Sequence, residues 1–221
     1  MASVGRLAAG IAHEINNPLA TISICTEGLL SRSSVQERQG DTEYLERIEK
    51  CVYKCKTIIE RLLAYSHSPN AKKEIFSLNN IITETLPLVT PQAYKEGKRI
   101  TTALSSSDVL IKGHPTQIGQ LILNLIINGL DAVKRGGTVG ISTVQQKGRV
   151  FLCVEDDGIG VDRKDHNKIF DPFYTTKEIG KGTGLGLYIS RQIVAAHRGK
   201  INVKSAIGRG TKFEVVLPTA T

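Results

Sequence analysis

The sequence predicts an α+β chain: an antiparallel helical hairpin, expected to pair with a second copy as a four-helix bundle, followed by an α/β sandwich. Three observations carry this. Apolar residues before residue 70 recur every three or four positions; after it they alternate in short runs between helical stretches; and Ser66-His67-Ser68-Pro69 marks the change. The 221 residues exceed one average domain, and two are expected, at 1–70 and 71–221.

In the first region one stripe runs through Val4, Leu7, Ile11, Ile15, Ile22, Cys25 and Leu29. Ser31 to Thr42 interrupts it, and a second stripe runs through Tyr44, Ile48, Cys51, Cys55, Ile58, Ile59 and Leu62. Two such helices would each be roughly 40 Å long, and a lone pair leaves apolar surface wet. A homodimer is therefore expected. In the second region, strands are expected at Arg99–Leu104, Val109–Lys112, Thr138–Val144, Val150–Glu155, Lys200–Ser205 and Thr211–Leu217. Helices are expected at Asn79–Glu96, Thr116–Val133 and Thr183–His197, and Asp165 to Gly182 reads as a functional loop.

Composition narrows the function classes. Hydrophobic residues are 40% and charged residues 23%, as in a folded globular protein. The apolar run Leu121–Ile127 is broken by Asn124 and falls short of the roughly 18 residues that span a bilayer. The first residues lack a secretory pattern, so the expected location is cytoplasmic, with any membrane anchor in the full-length protein lying outside this segment. Cys25, Cys51, Cys55 and Cys153 lack metal-finger spacing and read as buried thiols. The net charge is +8, yet residues 1–70 hold eight basic and eight acidic side chains, so 71–221 carry the whole excess. With 5% aromatics and no Lys/Arg block, that excess suits a polyanionic ligand better than nucleic acid.

Four segments carry chemistry. In HEINNPL, His13 lies two places from Ile11 and Ile15, about 200° from their stripe, so its imidazole faces outward as a potential nucleophile. Glu14 can hold or take a ring proton, and Pro18 removes the helical hydrogen bond to the Glu14 carbonyl. In QLILNLIINGLDAV, Asn124 and Asn128 share one face of an apolar helix; two carboxamides there await a ligand such as Mg²⁺ or a hydrogen bond to another element. EDDGIGV ends a strand at Asp156, suited to accept a hydrogen bond from an exocyclic amine such as adenine's; alone, the segment is also an acidic turn. GKGTGLGL, Gly180 to Leu187, opens a helix and offers backbone N–H groups to a phosphate, with neither Walker nor Rossmann spacing.

HEINNPL, NLIINGLDA, DDGIG, IFDPFYTTK, GTGLGL and GRGT-KF stand in the order found in bacterial two-component sensor histidine kinases, and the chain resembles their nitrogen-regulator-like subgroup from Val4 to Pro218. The resemblance implies a dimerisation and histidine phosphotransfer domain followed by a Bergerat/GHKL-like ATP-binding domain, with ATP and Mg²⁺ as cofactors. It implies His13 as phosphoacceptor, Glu14 as its acid–base partner and Asn17 as the residue orienting water for regulator dephosphorylation. Asn128 would ligate Mg²⁺ with Asn124 in support, Asp156 would read adenine, and Gly158 and Gly160 would shape the base pocket. Phe170 and Phe173 would anchor a lid, and Gly182, Thr183, Gly184, Leu185 and Gly186 would approach the phosphates. The GRGT-KF strand looks structural.

Two departures stand out: Gly129 replaces a common Ala, and Asp131 replaces a Lys that meets phosphate in another subgroup. Lys177 or Lys181 is expected to supply that charge. His67, His114, His166 and His197 fall outside the motifs and read as surface or capping groups. Expected partners are a second copy, a response-regulator receiver domain and an upstream sensor domain, with no nucleic acid. A GHKL ATPase acting on water is the rival enzyme, disfavoured by HEINNPL, and a dimerising scaffold the rival non-enzyme.

Overall fold

The computed structural model describes residues 18–29, 41, 43–45, 47–48, 51–52, 73–177 and 184–220. The chain divides into two compact units, Met1–Pro69 and Asn70–Thr221.

In the first unit residues 18–29 are helical, as are the described residues between 41 and 52. Cys25 is buried, and a Cβ at Gly28 would lie 3.0 Å from the Tyr44 ring, so the two stretches touch where glycine leaves room. Leu19, Ile24, Leu45 and Val52 are exposed. Val4, Leu7, Ile11, Ile15, Cys55, Ile58, Ile59 and Leu62 of the two stripes, and most of the Ser31–Thr42 connection, lie outside the described residues.

The second unit has strands β1 (Glu74–Ser77), β2 (Arg99–Ala103), β3 (Leu110–Gly113), β4 (Thr138–Gln146), β5 (Arg149–Asp156), β6 (Lys200–Ser205) and β7 (Thr211–Pro218). Its helices are α1 (Leu78–Thr85), α2 (Thr90–Lys95), α3 (Pro115–Ala132) and α4 (Gly186–Ala196). The main sheet has the order β2-β4-β5-β7-β6, parallel only at β2–β4, and β1 pairs antiparallel with β3 in a small second sheet. Alternation aims Val139 and Ile141 of β4, Val150, Leu152 and Val154 of β5, and Phe213, Val215 and Leu217 of β7 into the core. Helix α3 packs against α1, α4, β4 and β5, burying Ile118, Leu121, Ile122, Leu125 and Ile126 completely. Truncating any of these to Ala costs about 2–5 kcal/mol, so the helix carrying Asn124 and Asn128 is held firmly.

Three expectations change. The helix expected at Asn79–Glu96 is α1, a 3₁₀ turn at Leu86–Leu88, and α2, because Pro87 and Pro91 lack the N–H that a continuous helix needs. Strand β1 was not expected; four residues are too few to show alternation. The loop expected from Asp165 includes 3₁₀ turns at Arg163–Asp165 and Lys168–Phe170, which bury Ile169 and Phe170.

Candidate nucleotide site

Asp156 ends β5 and is 7% exposed. Its Oδ1 accepts from the Gly158 N–H at 2.9 Å and the Thr211 N–H at 3.2 Å, whereas Oδ2 accepts no hydrogen bond among the described residues. Burial pushes the carboxyl above the usual carboxylate range, and the two N–H donors oppose that push. One oxygen therefore fixes the side chain and the other stays available.

The surrounding backbone comes close enough that only glycine fits. A Cβ on Gly158 would lie 2.5 Å from the Ala132 carbonyl oxygen, and one on Gly160, at φ +69°, would strike the Ala206 carbonyl. Gly210, at φ +74°, faces the Asp156 carbonyl oxygen with no room for a side chain. The Gly210 N–H donates to the Gly158 carbonyl at 3.0 Å, and the Gly208 N–H to the Ile159 carbonyl at 2.8 Å. The GRGT segment thus positions Asp156 through Gly210 and Thr211. Read from sequence as structural, it is structural in the service of the site; the signal was its pair of glycines before a strand.

On α3, Asn124 and Asn128 play different parts. The buried Asn124 donates from Nδ2 to the Gly186 carbonyl at 3.3 Å, an oxygen that also accepts from the Ser190 hydroxyl at 2.8 Å. Of the two alternatives for this carboxamide, the hydrogen bond between elements is the one observed. Asn128 is half-buried, lies close to Gly186, and has no side-chain hydrogen bond among the described residues. The N-cap of α4 is Leu185, whose own side chain makes no capping hydrogen bond, and the positive dipole end of the helix lies beside the Asn128 amide. Gly129 brings the same helix face close to the sheet: a Cβ there would lie 3.1 Å from both Val139 methyls and 3.5 Å from the Asp156 Cβ.

Phe170 is buried edge-on to Phe213, with ring centroids 6.3 Å apart, and the Arg191 guanidinium lies 5.8 Å from the Phe170 centroid. Phe173 holds φ +66°, and its N–H donates to the Gly184 carbonyl at 3.1 Å. Gly184, at φ +62°, packs against the Phe173 backbone with no space for a Cβ, and Leu185 is buried at the start of α4. The Lys177 ammonium meets Asp131 Oδ2 at 2.5 Å, a pairing that sequence reasoning missed because the partners are 46 positions apart. The acidic replacement at 131 and the lid lysine therefore meet.

His13, Glu14, Asn17, Lys181, Gly182 and Thr183 lie outside the described residues. Among the other expected positions, His197 takes the capping role of the two expected for it, at the C-terminus of α4, and is buried there, 4% exposed. Its Nδ1–H donates to the Ile193 carbonyl at 2.8 Å, and its Nε2 accepts the His114 N–H at 3.0 Å, which fixes the neutral tautomer. Gly113 supplies the space, since a Cβ there would run into the His197 ring. Cys51 and Cys153 are only partly covered, unlike Cys25.

Two family models match the chain. The "His Kinase A (phospho-acceptor) domain" covers residues 3–70, and the "Histidine kinase-, DNA gyrase B-, and HSP90-like ATPase" covers residues 113–221. Sporulation kinase A of Bacillus subtilis is 36% identical over 215 residues, 97% of this chain and 34% of that protein. The signal transduction histidine-protein kinase AtoS of Escherichia coli is 35% identical over 219 residues, 99% of this chain and 35% of that protein. The chain thus spans about a third of the length of these relatives. Among solved structures, the catalytic domain of histidine kinase ThkA superposes with a TM-score of 0.62 at 29% identity, covering 67% of this chain and 97% of that one. ThkA in complex with the response regulator TrrA superposes with a TM-score of 0.77 at 25% identity, covering 98% of this chain and 62% of that one. No described helix is long and apolar enough to cross a membrane.

Proposed function

Because the chain belongs to the sensor histidine kinase family, we propose that it performs ATP-dependent phosphorylation of His13 and passes the phosphoryl group to an aspartate of a response-regulator receiver domain. The observation that carries this reading is Asp156: one oxygen locked by two backbone N–H groups and the other accepting none among the described residues, in a turn whose glycines pack directly on neighbouring backbone. Oδ2 accepts the exocyclic amine of adenine, and Gly158 and Gly160 shape the base pocket by letting the turn after Asp156 pack against the Ala132 and Ala206 carbonyls. The N-terminus of α4, with Gly184, Leu185 and Gly186, receives the phosphates, and Gly182, Thr183 and Lys181 belong to the same lid. Lys177, already beside Asp131, contributes lid charge.

The donor set fits Mg²⁺, since the Asn128 carboxamide is neutral, oxygen-bearing and otherwise unengaged, while Asn124 fixes the neighbouring turn of α4. When bound, the ion neutralises charge on the terminal phosphates. In the transfer, an imidazole nitrogen of His13 forms a bond to the terminal phosphorus as the bond to the bridging oxygen breaks and ADP leaves. Glu14 takes the ring proton, and Asn17 orients the water that later dephosphorylates the regulator. Residues 1–70 form the dimerisation and phosphotransfer domain and 71–221 the catalytic domain. Leu19, Ile24, Leu45 and Val52, exposed in the first unit, support a homodimer that covers them. An upstream sensor domain biases the pair, and the chemistry is cytoplasmic.

Incubation with γ-labelled ATP and Mg²⁺ tests this. Acid-labile, base-stable label on the wild type, absent from His13→Ala, is the expected result; free phosphate without labelled protein would mean a hydrolase instead.

A further inference from the structure

The second unit holds the whole positive surplus of the chain, yet its nucleotide end carries Asp131, Asp156 and Asp157, with Lys177 already paired. Lys134, Arg135 and Arg209 also stand near that end, and a second set of cations gathers elsewhere. At the other end of the sheet, Gly148, Arg149, Arg198, Gly199, Lys200 and Asn202 line a groove of about 380 Å³ with Val216, Leu217 and Pro218. Arg149 opens β5 and Asp156 closes it, which puts the two sites roughly 24 Å apart along the strand.

Arg149 at the start of β5 and Arg198 and Lys200 in the turn into β6 are all exposed and form no ion pair among the described residues. No lining residue is acidic; in the strand register the nearest step inward on that face places Glu214 opposite Asn202. A lone lysine on the edge strand β6 would be explained by protection of a sheet edge. Arg198 is not explained that way. Its N–H donates to the Ala195 carbonyl at 3.0 Å and the next N–H, of Gly199, to Val194 at 2.8 Å, the helix-ending arrangement whose left-handed position glycine normally fills. Here that position, at φ +57°, is held by arginine, with glycine one place later. The β4–β5 turn repeats the pattern: Lys147 holds φ +51° beside Gly148 at the rim of the same groove. Two cations therefore occupy backbone positions that disfavour side chains, a strain that points to a use for their charge.

We infer that this groove docks an acidic segment of a partner protein. A small anion is the weaker fit, because small-ligand sites enclose most of their ligand within a few fixed polar groups, whereas these cations stand in solvent around an open trough. Carboxylates laid across it meet charge from both strand ends and the α4–β6 turn, and the attraction steers approach. The inference stands apart from the kinase reading and survives its failure.

Titration of the full chain with hexaglutamate, followed by the backbone amide shifts of Gly148, Gly199 and Asn202, tests it. Binding is expected at low ionic strength, weakening as the screening length falls from about 30 Å at 0.01 M salt to about 10 Å at 0.1 M. The triple variant Arg149→Gln/Arg198→Gln/Lys200→Gln is expected to lose at least tenfold in affinity. Arg198→Gly is expected to weaken binding while raising the melting temperature by about 2–4 °C, a split that a purely structural arginine would not produce. Unchanged affinity in the triple variant overturns the inference, as does binding of tripolyphosphate at these amides without binding of hexaglutamate.

Discussion

Strand β5 joins two ends that use the same backbone conformations for opposite purposes. At the Asp156 end, three of the left-handed residues, Gly160, Gly184 and Gly210, are glycines pressed against neighbouring backbone, and the one non-glycine among them, Phe173, packs against Gly184. At the Arg149 end, left-handed positions carry Lys147 and Arg198, whose side chains stand in solvent. Where glycine is sterically required, a ligand or backbone approaches closely; where it is merely preferred and a cation sits instead, charge is what the position supplies.

Predictions at the two ends sharpen this contrast. The largest effect belongs to Asn128→Asp, which places an acid beside the phosphate site and is expected to reduce label incorporation from ATP to background. Because that residue is half-buried and its side chain forms no hydrogen bond among the described residues, thermal melting should barely change. Normal labelling in this variant would remove Asn128 from the metal role.

Next comes Gly210→Ala, which strains a φ of +74° and drives a methyl into the Asp156 carbonyl. It is expected to destabilise the second unit by roughly 3 kcal/mol in urea unfolding. Arg198→Gly, at a comparable φ, is expected to shift stability the other way by about 1 kcal/mol. Shifts of the same sign would break the contrast between required and preferred glycine.

The buried histidine behind the Arg198 turn should respond to acid. Burial lowers the His197 pKa below its ordinary 6.5, opposed by the hydrogen bond to Ile193, with His114 and Lys73 adding to the lowering. The unfolded chain therefore takes up its proton first as pH falls. Stability is full above about pH 6.5 and declines toward the folded value, by no more than about 1.4 kcal/mol per pH unit. Denaturant midpoints measured between pH 7 and 5 should fall in the wild type and flatten over that range in His197→Phe. An equal slope in both proteins would place the acid sensitivity elsewhere.

A smaller, selective effect is expected for Asn17→Ala: slower dephosphorylation of the regulator, measured by label loss, with autophosphorylation retained.

Much of this was legible because β strands and long amphipathic helices write their burial into the local pattern: α3 and the strands from β2 to β7 lie where periodicity places them. Asp156 and the glycines of the site were legible as motifs, because the chemistry requires those residue types at fixed spacing. What escaped was non-local. Whether Asn124 met a ligand or a neighbouring element depended on Gly186, 62 positions away. The burial of His197 depended on a missing Cβ at Gly113 and an N–H at His114, 83 positions away. The break between α1 and α2 was local and readable, since Pro87 and Pro91 stand inside the expected helix. The strain at Arg198 needed the coordinates, because the residue pair Arg-Gly reads as an ordinary helix stop.

Calorimetric titration with ADP and with inosine diphosphate tests most directly how Asp156 works, since the two nucleotides differ at the exocyclic position. The wild type is expected to bind ADP about 10–100-fold more tightly, the worth of one hydrogen bond to a charged group, and Asp156→Asn is expected to lose that preference. Equal affinities in the wild type, or a preference undiminished in the variant, would contradict the assignment of Asp156 as the residue that reads the base.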